Sequence, residues 1–223
     1  MATLMATTVS DILQQITDLR GESSLNTDAV RIRAVTRAEQ EVASRKLFQE
    51  HLLLDQTVAS TGVNAYTIGS ATYPMRKKGL HSVYVGDTLS SSQHKVISHE
   101  DFRTFYNRSN SAKIAYEYYD AANDLWKMYI SPTPENGVTI TYSYYFLPPT
   151  RTLTTDLVIS PNADIVARLA LAYILEGEEE YDLADSYKNE SEQMISELIG
   201  LDQQPNSGGV NTFRSVYRGL GTY

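Results

Sequence analysis

Residues 138–146 read Val-Thr-Ile-Thr-Tyr-Ser-Tyr-Tyr-Phe, and this stretch carries the clearest structural pattern of the chain. A bulky apolar or aromatic residue occupies every second position from Val138 to Phe146, and Thr, Ser and one Tyr fill the positions between them. Because successive side chains of a strand point to opposite faces of a sheet, this period of two predicts a β-strand with one buried face.

Two segments upstream, residues 114–118 and 125–130, repeat the alternation. Polar loops at 120–124 and 131–137 separate the three predicted strands, which favours an antiparallel meander. Weaker strand patterns and a short helix, in which Ser98 and Asp101 form a capping pair, complete this β-rich region. They lie at 63–68, 82–86 and 98–106.

The period changes to that of a helix before this region. Thr8 and Asp11 have the spacing of a capping pair, apolar residues follow at helical spacing, and Gly21 is suited to end the helix. A second helix is predicted to begin near Asn26 or Thr27 and to run to about Gln49, a length of roughly 33 Å.

Helical spacing returns after the β-rich region. Pro161 is suited to a helix start, residues 177–180 are expected to break the helix, and a further helix is expected to end at Gly200. Neither helical pair has enough apolar surface to fold alone, so we expect the two pairs to pack as one bundle. The sequence thus predicts an α+β fold in which an antiparallel β domain is inserted into a helical bundle and an extended tail follows. The predicted boundaries are 1–50 and 151–202 for the bundle, 51–150 for the β domain and 203–223 for the tail.

Composition restricts the possible function. The 223 residues carry a net charge of −8, which disfavours a protein that grips DNA phosphates through a basic surface. There is no cysteine, so disulfides, thiolate metal sites and a cysteine nucleophile are excluded. We expect a soluble chain made in the cytoplasm, because no apolar run suits a membrane span or a signal peptide.

The sequence shows no catalytic motif. It lacks the phosphate-binding glycine patterns, the G-x-S-x-G elbow and the H-E-x-x-H zinc pattern. Its four histidines are His51, His81, His94 and His99. We interpret them as exposed loop residues and expect no metal, no cofactor and no enzymatic activity.

Two helical segments carry opposite charges. The second predicted helix is basic, and we select Arg33, Arg37 and Arg45 from it as candidates for subunit contact. The segment 176–197 is acidic, and its candidate residues for the same contact are Glu178, Glu179, Asp182 and Asp185. Each face is solvated in the simplest interpretation. One alternative is that the basic face of one copy meets the acidic face of the next, since arginine is favoured at interfaces. The other is that the acidic face lines a lumen, where it would repel phosphate and keep DNA from sticking.

The C-terminal segment, residues 203–223, reverses the charge. It contains no Asp or Glu, is rich in glycine and combines aromatic residues with arginines. Such a segment is either disordered without a role or a peptide that docks into a partner and folds on binding. The candidate docking residues are Phe213, Arg214, Tyr217, Arg218 and Tyr223.

The order of these features resembles the phage head-to-tail adaptor (connector, or neck) proteins. The resemblance covers residues 110–200: a strand with Trp126, the Pro-Thr-Pro segment at 132–134, the Tyr-rich strand, Pro148-Pro149 and a Pro161-led helix before an acidic helix. The β domain departs from the smallest, all-helical adaptors.

The resemblance implies a structural virion protein, assembled in the host cytoplasm and located at the head–tail junction. It implies a homo-oligomeric ring, usually of twelve copies, beneath the portal. The ring would extend the DNA channel without sequence-specific DNA binding, accept tail or neck proteins on its distal side, and grip the portal through the C-terminal segment. It implies no membrane partner.

Two other functions remain open on the sequence. A Tyr-rich tail or baseplate component could stack sugars on exposed tyrosines such as Tyr118, Tyr119 and Tyr145. An enzyme with an unrecognised site is the second alternative, and it predicts loss of activity on changing a single His or Asp.

Overall fold

The chain folds into helices that flank a curled sheet, as predicted for the α+β class. The computed structural model describes residues 7–70, 72–86, 92–106 and 112–203. Within them lie five α-helices: α1 (Val9–Arg20), α2 (Ala29–Arg45), α3 (His99–Tyr106), α4 (Ala163–Gly177) and α5 (Tyr181–Gln203). The seven strands are β1 (Leu52–Ala59), β2 (Ala65–Thr67), β3 (Met75–Val85), β4 (Gln93–Val96), β5 (Ile114–Asp120), β6 (Leu125–Ser131) and β7 (Thr139–Phe146).

The ends of α1 confirm the capping prediction. The Thr8 hydroxyl accepts a hydrogen bond from the Asp11 N–H, and the Asp11 carboxylate accepts one from the Thr8 N–H at 2.7 Å. Gly21 ends the helix in the left-handed conformation, with φ at 72°, which a residue without a Cβ adopts at little cost. Ser98 caps α3 through the Asp101 N–H in the same way.

The predicted length of the second helix is wrong at both ends. α2 begins at Ala29 because the carboxylate of Asp28, the preceding residue, accepts the N–H of Arg31 at 2.8 Å and so caps the helix there. It ends at Arg45, and the backbone of Lys46 is extended. The structure also carries α5 past the predicted stop at Gly200, since one glycine inside a helix is tolerated.

Helix α4 forms the centre of the bundle. Its buried residues lie on all sides of the helix, and it contacts α1, α2 and α5. Ile165, Leu171 and Leu175 are fully buried against side chains such as Ile12 and Val35. The helices on either side of the sheet region, α1 and α2 before it and α4 and α5 after it, therefore share one apolar core, as their limited individual apolar surface predicts.

The sheet has the order β1-β7-β3-β4-β5-β6-β2, and β4 pairs with β5 in parallel while the other pairs are antiparallel. The predicted hairpin of β5 and β6 is confirmed, but the three-strand meander is wrong. β7 lies between β1 and β3, because β2 takes the outer edge of β6. The apolar faces enclose a second core that includes Met128, Ile130 and Ile140.

Candidate subunit and partner interfaces

A charged groove of about 300 Å³ lies between α2 and α5, with α4 at its base. The Arg45 guanidinium donates to Glu41 on its own helix at 2.9 Å and also pairs with Glu192 of α5. Lys188 of α5 pairs with Glu176. These contacts place the basic face of α2 against acidic residues within one chain.

Tyr173 of α4 connects the charges in this groove. Its hydroxyl donates to Glu41, and the guanidinium of Arg37 lies 3.7 Å from the centre of its ring. Arg37 also lies 4.0 Å from a carboxylate oxygen of Glu176. A guanidinium stacked on an aromatic face is held in a defined orientation, so Arg37 is already engaged before any partner arrives.

A second group of ion pairs lies where α4 ends. Arg20 of α1 pairs with Glu178 at 2.6 Å and with Glu22 at 3.1 Å. Glu22 accepts two hydrogen bonds from Arg31, both of 2.8 Å. The hydrogen bonds from Arg31 lower the pKa of Glu22, and the hydrogen bond to Glu178 raises the pKa of Arg20. Three helices are thereby joined where α4 turns into α5.

The residues predicted to join subunits therefore divide into two sets. Three of them have ion-pair partners in their own chain: Arg37, Arg45 and Glu178. The other four are exposed and form no ion pair with any described residue: Arg33, Glu179, Asp182 and Asp185. A role of either set in subunit contact stays a prediction. The five docking residues of the C-terminal segment, from Phe213 to Tyr223, lie outside the described residues.

A buried ion pair, which sequence reasoning missed, fixes the segment between β7 and α4 onto α2. Glu39 is fully buried, and its carboxylate accepts hydrogen bonds from Arg151 at 2.6 and 2.9 Å and from the Ile159 N–H at 2.7 Å. The Thr36 hydroxyl accepts the Arg151 N–H at 3.0 Å. Burial raises the pKa of Glu39, and the hydrogen bonds from Arg151 and Ile159 oppose that shift. The sequence does indicate that Glu39 is buried, because this residue follows Val35 by four positions and so lies on the apolar stripe of α2.

Arg76 and His51 complete this junction between sheet and bundle. The Arg76 guanidinium of β3 donates to the carbonyls of Ala43, Ser44 and Lys46 at 2.6–2.7 Å, which satisfies the end of α2. His51 Nε2 lies 2.8 Å from the Ile159 carbonyl. The sheet is thus held on the bundle by polar contacts that depend on residues distant in sequence.

The three tyrosines of the carbohydrate-binding alternative do not form one platform. Tyr118 and Tyr119 are adjacent on β5 and so face opposite sides of the sheet. The Tyr119 ring packs against Trp126 at 5.4 Å, whereas Tyr145 lies on β7 against His81 at 5.7 Å. Stacking of one sugar on all three rings is therefore not supported.

The histidines differ from the prediction of exposed loop residues. His51 and His94 are buried, with 2% and 4% of their surfaces exposed, and burial lowers the pKa of both. His81 and His99 pack against tyrosine rings. Across the described residues, no three side chains of metal-binding type come together. Nor does any helix there have the length and apolar character needed to span a bilayer.

The chain matches the model of a known protein family. The family model described as SU10 adaptor protein matches residues 7–214. No curated protein matches the chain. The matched range covers the bundle, the sheet and the first part of the C-terminal segment, including Phe213 and Arg214.

Proposed function

The chain belongs to the SU10 adaptor protein family, a family of phage head-to-tail adaptors, and from this membership we propose that it forms a ring beneath the portal. The ring extends the DNA channel and gives the tail its attachment site. The match across residues 7–214 is the observation that carries the proposal. Family membership identifies the chain as a structural virion component that works with portal and tail proteins.

The charge distribution supports a channel through which DNA passes without binding. Residues 151–202 contain twelve Asp or Glu and only three Lys or Arg, which accounts for more than the entire net charge of −8. An acidic surface repels phosphates, so DNA in contact with it is free to slide. We propose that twelve copies surround this channel and that no sequence-specific DNA contact occurs.

The polar contacts that hold the sheet on the bundle support a role in which this chain connects two other proteins. The bundle and the sheet have separate apolar cores, and Glu39, Arg151, Arg76 and His51 fix their relative position. We propose that residues 1–50 and 151–202 act as the bundle, residues 51–150 as the inserted β domain and residues 203–223 as the docking segment. The segment attaches to the portal through Phe213, Arg214, Tyr217, Arg218 and Tyr223.

The proposal is tested by the size and symmetry of the assembly. Purified protein is examined by mass photometry and negative-stain microscopy, alone and after mixing with the portal of the same phage. We expect a complex in which a ring of this chain lies on the portal axis with cyclic symmetry. A chain that stays monomeric and does not bind the portal, or that turns over a substrate, contradicts the proposal.

Reversal of Arg33 to Glu tests the charged contact between copies. Arg33 is exposed without an ion pair among the described residues, so the free energy of unfolding should change by less than about 0.5 kcal/mol. If Arg33 meets acidic residues of the next copy, the assembly midpoint should shift to roughly tenfold higher protein concentration. Sedimentation velocity in the presence of portal measures this midpoint. Lys77→Glu, an exposed change on β3, is the control, and equal behaviour of the two variants argues against the contact.

A further inference from the structure

Strand β1 forms an open edge of the sheet. It is the first strand in the sheet order and pairs only with β7 among the described strands. The register shifts between Leu53 and Gln56, where Asp55 has a φ of 52°, so the regular part of the edge runs from Gln56 to Ala59. An edge of this kind presents unpaired N–H and C=O groups that can bind a further strand.

The register identifies the residues that present these groups. Ser60 donates its N–H to the Val138 carbonyl at 2.8 Å, and hydrogen-bonded positions alternate along an antiparallel pair. Val58 and Gln56 therefore bond to β7, and the N–H and C=O groups of Thr57 and Ala59 point away from it. The side chains of Thr57 and Ala59 are also exposed. The edge thus offers up to four hydrogen bonds to an added strand.

Side chains beside this edge favour an occupant that is apolar and basic. Leu54 exposes 58% of its surface although it is a large apolar residue. Asp55 and Glu50 are exposed carboxylates at the same end of the strand. A docking segment would gain from apolar side chains and arginines and would be disfavoured by acidic residues.

The C-terminal segment has this chemistry. Residues 210–218 read Val-Asn-Thr-Phe-Arg-Ser-Val-Tyr-Arg, of which five are β-branched or aromatic, two are arginine and none is acidic. β-branched and aromatic residues are enriched in strands. The charge and the strand preference of this stretch both complement the β1 edge.

Helix α5 ends at the same side of the molecule as the sheet. Arg168 of α4 pairs with Glu190, and Glu176 pairs with Lys188, so α5 runs antiparallel to α4. It therefore ends beyond the beginning of α4, on the side of the bundle that carries the sheet. Six residues lie between Gln203 and Val210, and the seven Cα–Cα steps that join them span up to about 23 Å.

We propose that residues 210–218 of a second copy add to β1 as an extra strand. The proposal rests on the proposed ring, which needs a contact between two different surfaces of adjacent copies. Arg37 and Arg45 of α2 already pair with Glu176 and Glu192 of their own chain, which leaves fewer charges of α2 for a contact between copies. Strand addition supplies the missing contact through backbone hydrogen bonds.

This contact is compatible with attachment to the portal. Strand addition uses the backbone of the segment, and alternate side chains then lie on two faces. Phe213 and Tyr217 share one face and Arg214 and Arg218 share the other. A segment ordered on the neighbouring copy would present either set to the portal.

Cysteine cross-linking of the full-length protein tests the proposal, because the natural chain contains no cysteine. A tagged Ala59→Cys variant is mixed with untagged variants that carry one cysteine at Asn211, Thr212, Ser215 or Val216, and the mixture is oxidised. We expect a disulfide-linked dimer of tagged and untagged chains, with yields that alternate along the segment. Ser186→Cys, an exposed position on α5, replaces Ala59→Cys as the control and should give at least tenfold less product.

The backbone contribution is tested at Thr57. Thr57→Pro removes an outward N–H without removing a bond to β7, so it should lower the cross-linking yield at least tenfold, while Thr57→Ala should not change it. Hydrogen exchange of the Thr57 and Ala59 amides in the unmodified protein gives a second measurement, which is independent of how Thr57→Pro folds. These amides should exchange at least tenfold more slowly in the assembly than in the free chain.

Four outcomes separate this inference from the proposed function. Rings that form on the portal without a cross-link, or with unprotected Thr57 and Ala59 amides, overturn strand addition and leave the adaptor function standing. A chain that carries both Ala59→Cys and Val216→Cys can form the disulfide within itself. If cross-links form only within such chains and not between copies, the added strand does not come from a second copy. Alternating cross-links between copies without portal binding support strand addition and contradict the adaptor function. Equal yields from Ala59→Cys and Ser186→Cys overturn the proposal.

Discussion

Replacement of Arg151 by methionine is expected to lower the free energy of unfolding by about 3–5 kcal/mol. The substitution leaves the Glu39 carboxylate fully buried, and among the described residues only the Ile159 N–H still donates a hydrogen bond to it. A buried charge without an opposite charge beside it is costly. Urea unfolding measures the loss. Circular dichroism follows the helices, and fluorescence of the single tryptophan, Trp126 on β6, follows the sheet.

The pH dependence identifies the cause of this loss. Without Arg151, burial raises the pKa of Glu39 further above that of an unfolded carboxyl group, so the folded state binds a proton more readily. A raised folded pKa gives stability that is present at low pH and is lost as the pH rises through that pKa. The difference between Arg151→Met and the natural protein should therefore shrink as the pH falls towards the ordinary pKa of glutamate.

Two control variants separate the buried charge from general effects. Glu39→Gln combined with Arg151→Met removes both charges and keeps an acceptor for Ile159, so most of the stability should return. Arg45→Met breaks an exposed pair with Glu192 and should cost no more than about 1 kcal/mol. Equal losses in Arg151→Met and Arg45→Met would contradict the importance assigned to the buried pair.

Removal of residues 203–223 is expected to abolish attachment to the portal while the helices and the sheet still form. A more selective change is the double variant Phe213→Ala with Tyr217→Ala. Aromatic anchors at the centre of an interface contribute about 2 kcal/mol or more each, which corresponds to roughly 30-fold in Kd per residue. Several copies around a ring bind together, so the measured loss of attachment should be larger still.

Binding of the protein to immobilised portal measures this effect, and circular dichroism checks the fold. Asn211→Ala with Thr222→Ala is the matched control, because it removes two small polar side chains from the same segment. Full affinity of either the truncated chain or the Phe213/Tyr217 variant would show that the segment is not the portal anchor. The double variant keeps the backbone, so it should still cross-link to Ala59→Cys if strand addition is correct.

Local signals predict much of the helical structure. The Thr8–Asp11 box, the Gly21 stop and the Ser98 cap are satisfied by atoms a few residues apart, so their spacing is sufficient to predict them. The pattern carries the second helix past Arg45, but the helix ends there with its last carbonyls bound by Arg76, a residue of β3. No local pattern near Arg45 contains that information.

Strand prediction succeeded where alternation was regular. β5, β6 and β7 were recognised from their period of two, but β1 and β4 were not. The run Leu52–Leu54 does not alternate, and the bulge at Leu54 and Asp55 interrupts the period, so β1 has no regular pattern. The position of β7 in the sheet depends on β1, and it could not be predicted without that strand.

The candidate interface residues show the same division. The sequence identified a basic helix, an acidic helix and a basic, aromatic C-terminal segment, because charge and composition are properties of the residues themselves. It did not indicate that Arg37 and Arg45 contact Glu176 and Glu192 within one chain. That pairing depends on α4 lying between α2 and α5, and the packing of the core fixes this arrangement.

The sequence by itself therefore determined the caps of α1 and α3, the regular strands, the α+β class and the signs of the charged surfaces. Each of these depends on residues within a few positions of one another. Only the tertiary structure decided the strand order, the partner of Glu39, the cap on α2 and the open edge at β1. These depend on distances between residues far apart in the chain, which are fixed only when the two apolar cores form.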